Sequence, residues 1–254
     1  MNKITAHKQF KKQFSICCIV TNLVEYETMK NSFILSGFDS NTEFLVADNI
    51  GNNNFDAYEA INIFLDNAAG EYVLITHQDV RCIDDHLKLL NCLLTVNTLD
   101  PNWAVCGNAG GIGYKKMAYC ISENGTLRKS KNLPSKVFTL DENLLIINNK
   151  YRLALSNDIN SFHFYGTDLC LLANYLGYNT YVIDFLVNHL SSGNLKDMEN
   201  HKPIFIEKYG NKLRSRFVQT SCTNFYIGNN KFKNKLYNSK FIFFFIKAFQ
   251  RIKN

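Results

Sequence analysis

The amino-acid sequence predicts an α/β fold in which a parallel sheet has helices on both faces. Short apolar runs, each long enough for one buried strand, alternate with stretches whose apolar residues recur every three or four positions. Strands and helices that alternate through short links pair in parallel, because right-handed crossovers place the helices against the faces of the sheet. The 254 residues are 46% hydrophobic and 20% charged, which supports a large core and excludes a disordered chain.

The first elements are three strands separated by two helices. The strands are predicted at residues 15–21, 42–47 and 72–76. Each is a continuous run of mainly aliphatic side chains, which is typical of strands buried on both faces. Residues 24–37 and 55–69 have the helical spacing of apolar residues, and Gly70 provides a C-cap for the second helix.

The second half continues the alternation with one interruption. Its predicted elements are helices at 84–96 and 168–176 and strands at 103–106, 137–147 and 180–187. The glycine-rich stretch 107–135 has few long apolar runs and is predicted to be a loop. Its glycines do not form a dinucleotide-binding motif, because no helix and no acidic residue follow at the required spacing. We expect one domain over 14–195, followed by a basic helical extension over 196–254.

Charge is distributed unevenly along the chain. Residues 202–254 contain 12 Lys and Arg against one Glu, whereas the preceding residues are net acidic. The acidic first part argues against nucleic acid as a ligand. The basic segment predicts an anionic partner for residues 230–254, either a membrane surface, which we expect, or another acidic partner. Within that segment, lysines flank the apolar block 241–246, which either enters a membrane interface or packs on the domain.

The cysteines and the lengths of the apolar runs indicate the cellular compartment of the protein. The eight cysteines form no C-x-x-C pair and several lie in apolar runs, which predicts unpaired core residues in a reducing compartment. No signal peptide is apparent, and the longest apolar run is much shorter than the roughly 18 residues of a spanning helix. We expect a cytoplasmic protein, peripheral at the inner face of the plasma membrane.

Polar side chains follow four of the predicted strands. They are Thr21 and Asn22, Asp48, His77 to Asp79, and Asn188 with His189. The carboxyl ends of parallel strands meet at one edge, where α/β proteins bind ligands. Carboxylates and histidines at this edge suit a divalent cation that shares the phosphate oxygens of a diphosphate. Each has an ordinary alternative: His77-x-Asp79 as a capped turn, His189 as a packed histidine, and Asp48 as a turn residue.

Five sequence strings together resemble the GT-A glycosyltransferases of the family-2 type, in the branch with an HQDV motif in place of DxD. The strings lie at 60–62 (AIN), 69–80 (AGEYVLITHQDV), 137–142 (VFTLDE), 162–170 (FHFYGTDLC) and 188–189 (NH). They follow the order of the family over 14–195. The resemblance implies a GT-A fold, with a Rossmann-like mixed sheet flanked by helices. It also implies a nucleotide-sugar donor and a divalent cation, Mn²⁺ or Mg²⁺.

The resemblance also assigns roles to individual residues. Those that would bind the nucleotide sugar are Thr21, Asn22, Asp48, Asn62, His77 and Gln78. Asp79 and His189 would be the metal ligands, and the cation would bridge the two phosphates. A carboxylate would act as the base that takes a proton from the acceptor hydroxyl. We expect Asp168 to be this base, with Asp141 and Glu142 as the next candidates.

Two features leave the base open. Asp168 has the alternative role of capping the helix that follows it. The chain also has Gly166 at a position where many members of the wider group have an acidic residue. One base and no second nucleophilic carboxylate predict inversion at the anomeric carbon.

Three functions compete. The first is an inverting glycosyltransferase that acts on a glycan or lipid-linked acceptor in cell-surface polysaccharide synthesis. The second is an inactive, glycosyltransferase-like module that binds nucleotide and recruits a partner at the membrane. The third, a nucleotidyltransferase, is disfavoured because no glycine-rich, basic loop follows the first strand.

Overall fold

The computed structural model describes residues 9–191, 195–210, 215–228, 230–242 and 244. Within these residues the chain forms fifteen strands and six α-helices. The strands form a seven-stranded sheet, a six-stranded sheet and a two-stranded sheet. The architecture is mixed α/β.

The seven-stranded sheet is the centre of the fold. Its strands, in their order across the sheet, are β2 (Thr42–Asp48), β1 (Lys12–Val20), β3 (Gly70–Thr76), β11 (Leu144–Asn148), β5 (Trp103–Gly107), β12 (Asn179–Val182) and β9 (Ser135–Val137). β1 pairs in parallel with β2 and β3, and β12 pairs in parallel with β5. β11 is antiparallel to both of its neighbours, and β9 is antiparallel to β12. The sheet is therefore mixed, as the resemblance implies, whereas the alternation of helices and strands predicted parallel pairing.

Helices cover both faces of this sheet because its strands are apolar on both sides. α1 (Leu23–Leu35) and α3 (His86–Leu99) share one core with Ile16 and Cys18 of β1. α2 (Ala57–Asn67), α4 (Tyr165–Tyr175) and α5 (Leu195–Gly210) share the other core, which contains Cys17. Successive residues of β1 thus enter opposite cores, as the two-residue period of a strand requires. The predicted elements from β1 to β5 are confirmed to within three residues at each end.

The predicted loop at 107–135 is wrong, because this region supplies most of the second sheet. Its strands are β10 (Thr139–Leu140), β6 (Ala109–Gly113), β7 (Lys116–Glu123), β13 (Val187–His189) and β4 (Val80–Cys82), with β8 (Thr126–Lys129) paired to β7. A Cβ atom at Gly110 would overlap the backbone oxygen of Thr139, and one at Gly111 would overlap that of Gln219. These glycines allow two backbone segments to approach closely. Glycine content alone predicts a loop, and for that reason the prediction is wrong here.

Two strands predicted as continuous are interrupted. The stretch 137–147 divides into β9, β10 and β11, and residues 141–143 between the last two leave the sheets. The predicted strand 180–187 is also divided. Its first part is β12 in the seven-stranded sheet, and its last residue begins β13 in the six-stranded sheet. A short 3-10 helix, Asn149–Tyr151, follows β11. The first interruption places Asp141, Glu142 and Asn143 at the edge where the sequence predicts a ligand site, and the second lets β13 bring His189 to the same edge.

The chain after residue 195 is not wholly helical. After α5 come the hairpin strands β14 (Arg216–Gln219) and β15 (Asn224–Ile227), and then α6 (Lys231–Tyr237). Phe205, Val218 and Phe225 are buried in the core that contains α2 and α4. The predicted apolar block 241–246 lies partly outside the described residues. A domain boundary at 195 stays a prediction.

Two further expectations concern cysteines and membrane spans. All eight cysteines are among the described residues and are unpaired, and six of them are buried. Of the helices in the described ranges, none combines the length and apolarity that a bilayer crossing requires.

Candidate functional site

A cleft with a volume of about 170 Å³ lies beyond the carboxyl end of β3. Its walls come from the turn after β3, from residues 140–143, from residues 162–167 before and within α4, from the end of β13, and from residues 220–222 between the hairpin strands. The second sheet and the C-terminal hairpin therefore both contribute to it. This is the edge at which the sequence predicted a ligand site.

Three side chains that could together hold a metal ion, His77, Asp79 and His189, form a cluster here, and His77 and His189 line the cleft. One ligand atom from each lies within 4.8 Å of the others. His77 and Asp79 belong to the turn between β3 and β4, and the antiparallel register of β4 and β13 places His189 opposite Val80. Strand pairing thus brings together residues that are far apart in the sequence.

The distances and charges in this cluster suit a cation. Oδ1 of Asp79 lies 4.0 Å from Nδ1 of His77 and 3.5 Å from Nε2 of His189. Although burial raises the pKa of Asp79, hydrogen bonds from His189 and Ser191 and the nearby imidazoles hold it below its ordinary value. Burial, together with the neighbouring His189, lowers the pKa of His77 to about 4. At neutral pH the cluster therefore has an ionised carboxylate and a neutral His77 ring.

Asp141 and Glu142 line the same cleft on its other side. Burial raises the pKa of Glu142 to about 8, and the charge of Asp141 adds to the rise. Burial also raises the pKa of Asp141, whose Oδ1 accepts a hydrogen bond of 3.3 Å from the backbone N–H of Ser221. An acid with a pKa near the working pH can take up and release a proton readily.

The start of α4 holds the carboxylate of Glu142. The backbone N–H groups of Phe164, Tyr165 and Gly166 donate to it. Phe164 adopts a left-handed backbone conformation with φ of 66°, which is rare for a bulky residue. A side chain at Gly166 would lie 2.6 Å from the oxygen of Leu140 and 3.3 Å from Cγ of Glu142. Glycine at 166 therefore leaves the space that Glu142 occupies.

Asp168 does not line the cleft with the other described residues. It is fully buried, and its carboxylate accepts hydrogen bonds of 2.8 Å from both the backbone N–H and the hydroxyl of Ser156. The hydroxyl of Tyr209 in α5 also donates to it. Burial raises the pKa of Asp168, and these bonds oppose the rise. Asp168 is thus a buried, hydrogen-bonded carboxylate that joins α4 to α5, and its predicted role as base stays a prediction.

The alternative role of Asp168 as a helix cap is wrong. α4 begins at Tyr165 and its N-cap is Phe164, so Asp168 already lies within the first turn.

Gln78, Thr21 and Asn22 form a separate contact at the end of β1. The backbone N–H groups of Thr21 and Asn22 donate to Oε1 of Gln78 at 2.9 and 3.0 Å, and Nε2 of Gln78 donates to the hydroxyl of Thr21. The side chain of Asn22 caps α1. These three residues tie the turn after β3 to the end of β1, and their predicted contact with a nucleotide stays a prediction.

Asp48 and Asn62 have local partners. Oδ1 of Asp48, which is exposed at the end of β2, accepts from the backbone N–H of Ile50 at 2.8 Å. Both polar atoms of the Asn62 amide bond the backbone of Leu155. Among the described residues that line the cleft, neither is present. Asn62 therefore fixes a loop, and a role in donor binding is untested for both residues.

Sequence reasoning missed several side chains of the cleft. Tyr165 bonds His77 through its hydroxyl, and His163, Met198 and Cys222 add to the walls. His77, for which the resemblance implies a place near the ribose and sugar, lies beside Asp79 and His189, and its contact with a donor stays a prediction. The string at 162–170 could have indicated Tyr165, whereas no signal in the sequence places residues 220–222 beside Asp141.

Comparisons with known proteins find similarities in sequence and in structure. No protein-family model matches the chain. A protein of Fuscovulum blasticum, named ATP synthase subunits region ORF 6, is 33% identical over 185 residues, which are 69% of this chain and 74% of that protein. The structure of S. aureus TarS 1–349 matches 80% of this chain and 67% of its own with a TM-score of 0.47 and 14% identity. A197 from STIV matches 71% of this chain and 86% of its own with a TM-score of 0.43 and 12% identity. These scores are too low for either structure to support a functional assignment.

Proposed function

The chain belongs to the same family as the Fuscovulum blasticum protein ATP synthase subunits region ORF 6, and we propose that it is a metal-dependent, inverting glycosyltransferase. The donor is a nucleotide sugar, and the acceptor is a hydroxyl of a glycan or lipid-linked molecule in cell-surface polysaccharide synthesis. One observation carries the proposal: His77 and His189, which cluster with Asp79, line the same cleft as Glu142, a carboxylate whose pKa is raised to about 8. Such a cleft can act on both the leaving group and the attacking group.

The three ligand groups fit a divalent cation. Two imidazoles and one carboxylate are a mixed nitrogen and oxygen set, which favours Mn²⁺ over Mg²⁺, since Mg²⁺ prefers oxygen ligands alone. His77, Asp79 and His189 would hold the ion. When bound, it would supply positive charge to the diphosphate of the donor.

Glu142 is the proposed base. Its carboxylate takes the proton of the acceptor hydroxyl as the oxygen forms a bond to the anomeric carbon. The bond from that carbon to the diphosphate oxygen breaks, and the electron pair leaves with the nucleoside diphosphate. A single displacement of this kind inverts the anomeric configuration. Asp141 raises the pKa of Glu142 and is the second candidate for the same proton transfer.

A donor panel tests the proposal. The protein is incubated with UDP-, GDP- and dTDP-sugars and Mn²⁺, and release of nucleoside diphosphate is measured with and without acceptor glycans. We expect turnover of one donor class and its loss in Asp79→Asn. The control is Asp66→Asn, which removes an exposed carboxylate on α2. Absence of both donor turnover and donor binding, with Asp79→Asn equal to wild type, would reject the assignment.

The basic segment after residue 230 supports a second proposal, docking on an anionic membrane. Lys231, Lys233 and Lys235 lie on α6, and Phe232 in the same helix is 73% exposed. Exposed aromatic side chains among lysines suit an interface with anionic lipid. The test is cosedimentation of the full chain with vesicles containing phosphatidylserine, compared with neutral vesicles and with a Lys231→Glu, Lys235→Glu variant. Equal binding to both vesicle types would contradict it.

The inactive recruitment module remains distinguishable from the enzyme. Nucleotide binding and vesicle binding without transfer to any acceptor would favour the module over the glycosyltransferase.

A further inference from the structure

The hydroxyl of Tyr165 connects the two sides of the cleft. Tyr165 is the first residue of α4 and is buried, with 4% of its surface exposed. Its oxygen lies 2.8 Å from Nε2 of His77 and 3.0 Å from the backbone oxygen of Glu142. Both distances are those of hydrogen bonds. The hydroxyl therefore serves two neighbours at once.

The chemistry of these neighbours determines where the protons lie. A tyrosine hydroxyl has one proton to donate, and a backbone carbonyl can only accept. The proton of Tyr165 therefore goes to the oxygen of Glu142, and the hydroxyl oxygen accepts from His77. His77 can donate there only when Nε2 carries its hydrogen.

A neutral imidazole with its hydrogen on Nε2 has a lone pair on Nδ1. Nδ1 is the ring atom that lies 4.0 Å from Oδ1 of Asp79. Two acceptors then face each other, an arrangement that is favourable when a positive ion lies between them. Ring nitrogens of metal-binding histidines are commonly oriented in this way by a hydrogen bond at the other nitrogen.

We infer that Tyr165 is a positioning residue that holds His77 in the Nε2–H tautomer and so presents Nδ1 to the cation. This inference rests on the proposed cation site. It assigns Tyr165 no contact with the donor or the acceptor. The start of α4 then supports both sides of the cleft. The hydroxyl of Tyr165 orients His77, and backbone N–H groups of the same turn bond the carboxylate of Glu142.

Tyr165→Phe tests the inference, since it removes the hydroxyl and keeps the buried ring. Long-range ¹H–¹⁵N spectra of the ¹⁵N-labelled, metal-free protein report the tautomer of each histidine, and His77→Asn assigns the signals of His77. Mn²⁺ affinity is measured by calorimetry on the same proteins. We expect the Nε2–H tautomer in the wild type, both tautomers in Tyr165→Phe, and a dissociation constant for Mn²⁺ raised about tenfold.

Tyr181→Phe is the matched control. Tyr181 is a buried tyrosine of β12 whose hydroxyl donates to Asp100, and it belongs to the opposite core. We expect its loss to leave the His77 signals and the Mn²⁺ affinity unchanged.

Two outcomes would overturn the inference in different ways. An Nδ1–H tautomer in the wild type, or a Tyr165→Phe protein with unchanged tautomer and Mn²⁺ affinity, rejects the role of Tyr165 whatever the enzyme does. The expected tautomers combined with no Mn²⁺ binding to the wild type reject the cation site and, with it, the purpose assigned to Tyr165.

Discussion

Replacing Glu142 with glutamine is expected to stabilise the protein at alkaline pH while it removes the proposed base. In the native state the pKa of Glu142 rises from an ordinary 4.5 to about 8, chiefly because of burial. Between these two values the native protein keeps a proton that the unfolded chain releases. Stability therefore falls as pH rises through this window, and the full cost applies above about pH 8.

The magnitude follows from the same two values. Each unit of pKa corresponds to about 1.4 kcal/mol, so a rise from 4.5 to about 8 sets an upper limit of about 5 kcal/mol. Solvent reaches this partly exposed carboxylate through the cleft, so we expect a smaller effect of about 2 to 3 kcal/mol. Glutamine carries no titrating proton and can still accept a hydrogen bond from the start of α4.

Urea denaturation followed by circular dichroism measures this difference. The free energies of unfolding of wild type and Glu142→Gln are compared at about pH 5 and about pH 8.5, with m-values checked for equality. Titration of other groups affects both proteins similarly and largely cancels in the difference. We expect the advantage of Glu142→Gln to grow between the two pH values.

Glu59→Gln is the control, because Glu59 is exposed on α2 and lies away from the cleft. Its difference from wild type should not grow with pH. An advantage of Glu142→Gln that is the same at both pH values would refute the argument, since it would mean that Glu142 titrates alike in the folded and unfolded chain.

Three further predictions concern catalysis and packing. The transfer rate should rise with pH up to about 8, because Glu142 must be ionised to accept a proton. Glu142→Gln should lower the rate by about 10²- to 10⁴-fold in steady-state assays. A transfer rate that does not change with pH would contradict this role of Glu142. Tyr209→Phe should lower the free energy of unfolding by about 1 to 3 kcal/mol in urea titrations, because it removes a hydrogen-bond donor to the buried Asp168. An unchanged free energy of unfolding would contradict the hydrogen bond between Tyr209 and Asp168. Gly111→Ala should destabilise the protein by about 1 to 3 kcal/mol or more, because its Cβ overlaps the backbone at Gln219; a melting temperature equal to that of wild type would exclude this contact.

The elements up to β5 could be predicted because their apolar runs and helical spacing are local signals. The strands within residues 107–135 could not be predicted. A glycine-rich sequence is typical of loops, and it also occurs in strands whose backbones approach closely. The decisive contacts of Gly110 and Gly111 are with Thr139 and Gln219, which are distant in the sequence.

The candidate site divides in the same way. Asp79 and His189 were predictable as strand-end residues, and the structure places them together with His77. The burial of Asp168 was not predictable, because it depends on Tyr209 in a helix that begins far along the chain. The role of Glu142 likewise depends on the direction of the N–H groups at the start of α4, which the sequence does not encode in any local pattern.

The hairpin of β14 and β15 has a consequence for biosynthesis. Residues 220–222 between its strands form one wall of the cleft, and Phe225 lies in the core that contains α2 and α4. Both follow α5 in the chain. The ribosome adds about 5 to 20 residues per second, so the sheets emerge several seconds before the hairpin does. During that interval the nascent chain exposes an unfilled apolar face, and the cleft is complete only when the hairpin is in place.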